Sequence, residues 1–249
     1  RFPVDFYLVS WEERLRLLAF AGIRRCIWSD FPDIAGWSPE HFIAYLAGRD
    51  VRHVVVGSGF VFGSRRSGDI RFLRRRAASS GIGVTVVRSV IREGRKVSST
   101  RIRACVRRGE MEAARRMLGR YFAVEGRVVS GSGRGRQLGF PTANLDLVWQ
   151  VPLRTGVYAG WAGESGIWQR AAVFVGAPST FGDERSRVEV FIDEPVGDLS
   201  GKVLRVLLVS RIRGVRRFRS VDLLVAQIGK DLEVIRSVLR RSRPPAPGV

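Results

Sequence analysis

A stretch rich in glycine and arginine, with the sequence GSGRGRQLGFPTAN, runs from Gly131 to Asn144. Glycine has no Cβ, so its backbone N–H groups can turn toward an anion, and arginine side chains add positive charge. The pattern predicts a phosphate-binding loop formed by Gly131, Gly133, Arg134, Gly135, Arg136 and Gly139. Its spacing differs from that of a P-loop. A mobile surface turn has a similar composition and stays open as the alternative.

The end of this stretch, Pro141-Thr142-Ala143-Asn144, combines a rigid proline with two polar side chains. The Thr142 hydroxyl and the Asn144 carboxamide are hard oxygen ligands, which suit the metal of a magnesium–nucleotide complex. An apolar alternation follows, so both residues are expected at the start of a strand. A threonine/asparagine turn motif is the alternative.

A second polar cluster lies in the run VSSTRIR from Val97 to Arg103, which is expected to open a helix. The free N–H groups of a helix start, the hydroxyls of Ser99 and Thr100 and the guanidinium of Arg103 could all contact phosphate oxygens. An ordinary serine N-cap before an arginine-rich helix has the same pattern.

The first half of the chain alternates helical and strand patterns. Ser10 and Glu13 form a capping-box pattern before a helix that ends at Gly22, and Ser38 precedes a helix that ends near Gly48. The other predicted elements are a short strand at 25–28, fully buried strands at 53–57 and 84–87, and helices at 69–80 and 110–118. This alternation predicts a parallel sheet with helices on both faces.

From about Val124 the pattern changes to short runs rich in valine and aromatic residues. The predicted strands are 124–129, 156–161, 168–175, 188–192 and 203–209, which indicates an antiparallel barrel or sandwich. Ser220 then caps a helix with apolar residues at helical spacing. The predicted organisation is an α/β domain at 1–121, a β-barrel domain with a C-terminal helix at 122–241, and a disordered tail at 242–249.

The composition is strongly basic, with a formal net charge of +20 over 249 residues and only three lysines. Such a charge suits phosphate-bearing partners, but arginines on solvated faces produce the same total, so nucleic-acid binding is possible without being expected. The two cysteines, Cys26 and Cys105, do not form a disulfide framework or a zinc motif. No apolar run approaches the roughly 20 residues of a membrane span. A cytoplasmic location without membrane association is expected, and the oligomeric state is left open.

The segment from Gly126 to Asn144 resembles the signature of riboflavin kinase, the C-terminal half of bacterial bifunctional riboflavin kinase/FMN adenylyltransferase (FAD synthetase). The resemblance continues at 156–159, 175–181, 188–190, 197–202, 213–218 and 227–231. It implies that residues 131–139 form a flap over the ATP phosphates and that Thr142 and Asn144 bind the magnesium–nucleotide. It also implies that Glu189 is the general base.

The strand VEVFI gives Glu189 a plausible environment for that role. A primary hydroxyl that attacks a γ-phosphoryl group must lose a proton, which a carboxylate facing the site can accept. Glu189 shares its strand face with Phe191, which favours a lined pocket over open solvent. A surface acid on the polar side of the strand is the alternative.

The sequence departs from the kinase pattern at three places. Phe191 replaces a usual histidine, Ser200 replaces a usual tyrosine, and 177–179 reads Ala-Pro-Ser in place of Thr-Arg-Pro. These changes concern the fit of the flavin and of the flap.

Residues 56–120 resemble the adenylyltransferase half of the same family in the order and spacing of their motifs. That half carries a His-x-Gly-His motif, whereas the two histidines here, His41 and His53, lack that context and are interpreted as packing residues. Gly59 replaces a usual acidic residue. The chain starts at Arg1, where the resemblance places the family sequence already past its first nucleotide-binding loop. Little or no FAD is therefore expected from these 249 residues, and a longer natural protein is the alternative.

The leading hypothesis is a riboflavin kinase that uses Mg²⁺, ATP and riboflavin and produces FMN. The fold expected from the resemblance is an incomplete nucleotidyltransferase-like parallel α/β domain followed by a riboflavin-kinase-like antiparallel β-barrel. The alternatives are a basic nucleic-acid-binding protein built on a retired enzyme, and a flavin-binding module without catalysis. The enzyme is favoured because Thr142, Asn144 and Glu189 occur together.

Overall fold

The computed structural model describes residues 7–131, 133–147, 153–164, 167–176, 187–194 and 197–244. Contacts divide the chain into two compact units. One is Arg24–Val97, and the other combines the residues up to Ile23 with those from Ser98 onward. The second unit therefore includes three helices that precede residue 122, and the domain boundary at 121/122 stays a prediction.

The helices and strands are numbered in chain order. They are α1 Trp11–Phe20, α2 Phe31–Ala35, α3 Pro39–Ala47, β1 His53–Gly57, α4 Ile70–Ser79, β2 Gly83–Val87, β3 Ile91–Arg92, β4 Arg95–Lys96, α5 Ser99–Arg108, α6 Met111–Leu118, β5 Phe122–Val129, α7 Arg134–Gln137, β6 Ala143–Leu147, β7 Gly156–Glu164, β8 Ile167–Val175, β9 Val188–Ile192, β10 Val203–Arg213 and α8 Val221–Arg240.

Polar side chains cap the predicted helices as the sequence indicates. Ser10, Ser38, Asp69 and Ser220 each accept a hydrogen bond from the backbone N–H three residues later. Each cap satisfies an N–H group that has no partner inside the helix. These helix starts are therefore confirmed to within one residue.

The unit Arg24–Val97 contains a two-stranded parallel sheet in which β1 pairs with β2 from His53↔Gly83 to Gly57↔Val87. The parallel pairing is confirmed, but the prediction of fully buried strands is wrong because Val55 is 64% exposed. Ile43 of α3 and Leu73 of α4 pack with Val56 on one face of this sheet, so the prediction of helices on both faces is also wrong for the described residues. A continuous apolar run cannot reveal this, since it does not show which elements cover each face.

The predicted strand at 25–28 is also wrong. Residues 23–30 are exposed and form no ladder with β1 or β2. A strand requires a partner for its backbone N–H and C=O groups, and a run of four apolar-rich residues does not supply one.

The second unit is built on a closed antiparallel barrel with the strand order β10-β5-β6-β9-β8-β7. The five strands predicted at 124–129, 156–161, 168–175, 188–192 and 203–209 are present, and the strand expected to begin near Thr142 and Asn144 is β6. Helix α8 packs on the outside of the barrel, where Ile235 and Leu239 join a buried cluster with Trp161 and Leu207. The predicted order of an α/β unit, a barrel and a C-terminal helix is confirmed.

Two contacts tie the chain ends of this unit to the barrel. The buried Glu13 of α1 accepts a hydrogen bond from Arg205 of β10 at 2.6 Å and also pairs with Arg120. The Tyr121 hydroxyl donates to the Arg243 carbonyl at 3.2 Å, so the predicted tail disorder does not extend to Arg243. Residues 245–249 lie outside the described residues. Within the described part of the chain, no helix has the length and apolarity needed to cross a membrane.

Candidate active site

The register of strands β6 and β9 brings the predicted site residues together. Asn144 of β6 lies directly opposite Glu189 of β9. Thr142 precedes β6 by one residue, and its hydroxyl donates to Glu189 Oε2 at 3.5 Å, across 47 positions of sequence. The hydroxyl, the carboxamide and the carboxylate thus converge at one edge of the barrel.

The alternation of β9 directs Glu189 away from the barrel core. Val188 and Val190 are completely buried, whereas Glu189 and Phe191 are half-buried on the opposite face. On its other side Glu189 lies opposite Phe174 of β8. Glu189 therefore has a polar neighbour, Asn144, on one adjacent strand and an aromatic neighbour, Phe174, on the other. These surroundings are those of a residue that lines a pocket.

At two positions of the loop only glycine fits, because neighbouring atoms lie too close to the backbone for a Cβ. A Cβ on Gly131 would overlap the amide of Asn144, and a Cβ on Gly135 would lie 2.5 Å from the Phe140 carbonyl oxygen and 3.1 Å from Thr142 Oγ1. Gly133 and Gly139 instead have positive φ angles of 70° and 83°. The glycines thus allow the loop to lie directly against the two candidate magnesium ligands.

Between these glycines the loop forms the one-turn helix α7, which sequence patterns did not predict. The loop then folds back, and the Phe140 N–H donates to the Gly135 carbonyl at 2.8 Å. This bond fixes the end of the loop immediately before Pro141.

A large cavity of about 810 Å³ opens between the loop and the ends of β6 and β9. The predicted residues that line it are Gly131, Gly133, Arg134, Gly135, Arg136, Thr142, Asn144 and Glu189. Gly139 is not among its lining residues. Asp198 and Ser200 also line it, and the Ser200 N–H donates to Asp198 Oδ1 at 2.9 Å. We call this space the polar cavity.

A second cavity of about 420 Å³ lies between the barrel and residues 224–232 of α8. Its walls include four phenylalanines, Phe140, Phe174, Phe191 and Phe218. We call it the aromatic cavity. The two cavities share four lining residues, which are Arg134, Gly135, Thr142 and Glu189. The hydroxyl and the carboxylate therefore stand where the two spaces meet.

One charged group in the aromatic cavity was not assigned a role from sequence. Asp231 of α8 is only 6% exposed and accepts hydrogen bonds from Arg213 at 2.6 Å and from Gln227 at 2.8 Å. A buried carboxylate without such partners would be costly. Asp231 lies four residues after Gln227, so the helix alone brings these two side chains together. Arg213 lies on β10 and reaches Asp231 only through the tertiary fold.

The other predicted phosphate site lies elsewhere. Ser98 caps α5, Ser99 and Thr100 are exposed in its first turn, and the Arg103 guanidinium donates to the Thr100 hydroxyl at 3.4 Å. None of the last three lines the polar or the aromatic cavity. Their role in phosphate binding stays a prediction.

The two histidines make local contacts. The His41 ring lies 4.6 Å from that of Trp37, and His53 Nε2 is 2.8 Å from the Thr85 hydroxyl oxygen. Among the described residues, no group of three or more His, Cys, Asp or Glu side chains could hold a metal ion. Of the three departures, residues 177–179 lie outside the described residues, as do Thr180 and Phe181 of the resemblance.

Family models match both halves of the chain. A riboflavin kinase model matches residues 118–239, and an FAD synthetase model matches residues 3–101. The bifunctional riboflavin kinase/FMN adenylyltransferase of Escherichia coli K12 is 32% identical over 243 residues, which cover 95% of this chain and 77% of that protein. The enzyme of the same name from Pseudomonas fluorescens is 36% identical over 200 residues, which cover 77% of this chain and 62% of the relative.

A solved structure shares the fold of this chain. A Streptococcus pneumoniae protein described as a macrolide-efflux protein superposes with a TM-score of 0.86 at 32% identity, over 95% of this chain and 78% of that one. The resemblance inferred from the Gly126 to Asn144 signature is confirmed. The chain belongs to the bifunctional riboflavin kinase/FMN adenylyltransferase family.

Proposed function

We propose that this chain transfers the γ-phosphate of ATP to the 5′-hydroxyl of riboflavin, which produces FMN and releases ADP. The observation that carries the proposal is the junction of the two cavities at Thr142 and Glu189. A polar cavity lined by glycines and arginines suits a nucleoside triphosphate. An aromatic cavity beside it suits a flat ring system.

In this mechanism Glu189 accepts the proton of the riboflavin 5′-hydroxyl as that oxygen attacks the γ-phosphorus. Phosphoryl transfer depends mainly on positioning and charge stabilisation. Arg134 lines both cavities, which supports the proposal that its guanidinium contacts the transferred group. The Thr142 hydroxyl, 3.5 Å from Glu189, holds the carboxylate at the junction.

The residues present fit a magnesium ion bound together with ATP. Thr142 and Asn144 supply neutral oxygen ligands, and the missing Cβ of Gly131 leaves room for the Asn144 amide. Phosphate oxygens would complete the coordination, since the described residues contain no cluster of acidic ligands. Bound there, Mg²⁺ would neutralise charge on the β- and γ-phosphates.

The proposal extends to the surroundings of the reaction. The described cysteines are free, with Cys26 exposed and Cys105 buried, which suits a reducing compartment such as the cytoplasm.

Ser99, Thr100 and Arg103 are proposed as a separate phosphate site that serves the adenylyltransferase half of the family. Their position at the start of α5 supports this role.

The direct test is to incubate the 249-residue chain with riboflavin and Mg-ATP and to separate riboflavin, FMN and FAD by chromatography. We expect FMN to accumulate. Riboflavin binding without FMN formation would support a non-catalytic flavin module instead. Oligonucleotide binding that falls steeply with salt, without any turnover, would support the nucleic-acid alternative.

Replacing Gly131 by alanine should damage the reaction through Asn144. The new Cβ overlaps the Asn144 amide and forces it out of position. Misplacement by about 1 Å can cost about 100-fold. Because the amide can turn part of the way, we expect kcat/KM for Mg-ATP to fall about tenfold.

Steady-state kinetics of the Gly131→Ala variant check this prediction. The matched control is Gly229→Ala in α8, where a new Cβ meets nothing within 4 Å and lines neither cavity. It should retain wild-type kinetics. Equal kinetics in both variants would show that the Gly131 approach is unimportant.

A further inference from the structure

Two aromatic rings connect the glycine-rich loop with the strand that carries Glu189. Phe140 ends the loop, and Phe191 lies two residues after Glu189 on the same face of β9. Their ring centroids are 5.9 Å apart, and the ring planes meet at 72°. This edge-to-face arrangement is favourable for aromatic pairs. Both rings line the aromatic cavity, and neither is among the described residues that line the polar cavity.

A backbone connection leads from this pair to the polar cavity. The Phe140 N–H donates to the Gly135 carbonyl at 2.8 Å, and the two residues are too close for a Cβ on Gly135. Gly135 itself lines both cavities. A displacement of the Phe140 backbone therefore affects the part of the loop that lines the polar cavity.

We propose that Phe140 and Phe191 are a pair of positioning residues that couple occupation of the aromatic cavity to the position of the loop over the nucleotide. The inference rests on the proposed function, since it places the flavin in the aromatic cavity. A ring bound against Phe191 restrains Phe140, which in turn holds Gly135 in place. Each substrate then binds more tightly when the other is present, because coupling between two sites is reciprocal.

The test is a titration of riboflavin by its fluorescence, with and without saturating Mg-ADP as an unreactive nucleotide. The ratio of the two Kd values measures the coupling. Phe191→Leu removes the Phe191 ring, and we expect the ratio to fall about threefold to tenfold, the range expected for one aromatic pair. Phe140→Leu should have the same effect. The ratio in the double variant should be no lower than in either single variant, because the two substitutions remove the same contact.

Two further variants separate coupling from simple loss of packing. Phe191→Tyr keeps the ring and should keep the wild-type ratio. Phe174→Leu alters the same cavity outside the pair, and should weaken riboflavin equally with and without Mg-ADP. An equal weakening in Phe191→Leu would overturn the inference, as would a wild-type ratio of one. Failure of the kinase proposal is distinct, since the wild-type chain would then form no FMN.

Discussion

Replacing Glu189 by glutamine should lower kcat for FMN formation by about 100-fold or more while both substrates still bind. Glutamine keeps the size of the side chain and can still accept the hydrogen bond from Thr142, but it cannot accept the proton of the attacking hydroxyl. Loss of an interaction made only during the reaction lowers kcat and leaves binding unchanged. Rapid-quench measurement of FMN formation and a riboflavin titration together check both parts.

The control for this prediction is Glu233→Gln, which neutralises an exposed carboxylate of α8 that lines neither cavity. It should leave kcat unchanged. If Glu189→Gln kept wild-type turnover, Glu189 would be excluded as the base. If it lost riboflavin binding instead, its role would be to shape the junction of the cavities.

Thr142→Val should damage the use of Mg-ATP more than the binding of riboflavin. Valine conserves the volume of threonine but deletes both an oxygen ligand and the hydrogen bond to Glu189. Removing a residue that only hydrogen-bonds to a metal ligand costs about 10- to 100-fold in metal affinity or activity. Thr142 is proposed to be a ligand itself, so kcat/KM for Mg-ATP should fall by at least that much. In a titration at fixed ATP, the Mg²⁺ concentration that gives half-maximal activity should rise.

Thr142→Ser tests whether the hydroxyl carries this effect. Serine keeps the oxygen and removes only a methyl group, so most of the activity should return. A Thr142→Val variant that loses riboflavin affinity but uses Mg-ATP normally would contradict the assigned role, and would place Thr142 on the aromatic side of the junction.

Local residue chemistry accounts for the parts of the fold that the sequence predicted correctly. Helix starts depend on a capping side chain and the next three residues, as at Ser38 and Ser220, so they are encoded within one turn. The barrel strands were recognisable because alternation or an apolar run marks each of them. The glycine-rich segment and Glu189 were assigned from a resemblance, and the barrel places both at one cavity.

Other features depend on partners that are distant in sequence. The strand predicted at 25–28 has the right residue types but no neighbour to complete its hydrogen bonds, and Val55 of β1 remains exposed because nothing described covers that face. The buried Arg213–Asp231 pair likewise needs β10 and α8 to meet.

The sequence alone determined which residues could bind phosphate, ligate a metal or accept a proton, because those properties belong to single side chains. Only the tertiary structure decided that Thr142 and Glu189 stand at the junction of a polar and an aromatic cavity. The tertiary structure also explains why residue 131 must be glycine, because a Cβ there would overlap Asn144 of strand β6. The physical reason is that the register between strands, which no local pattern specifies, sets which side chains approach each other.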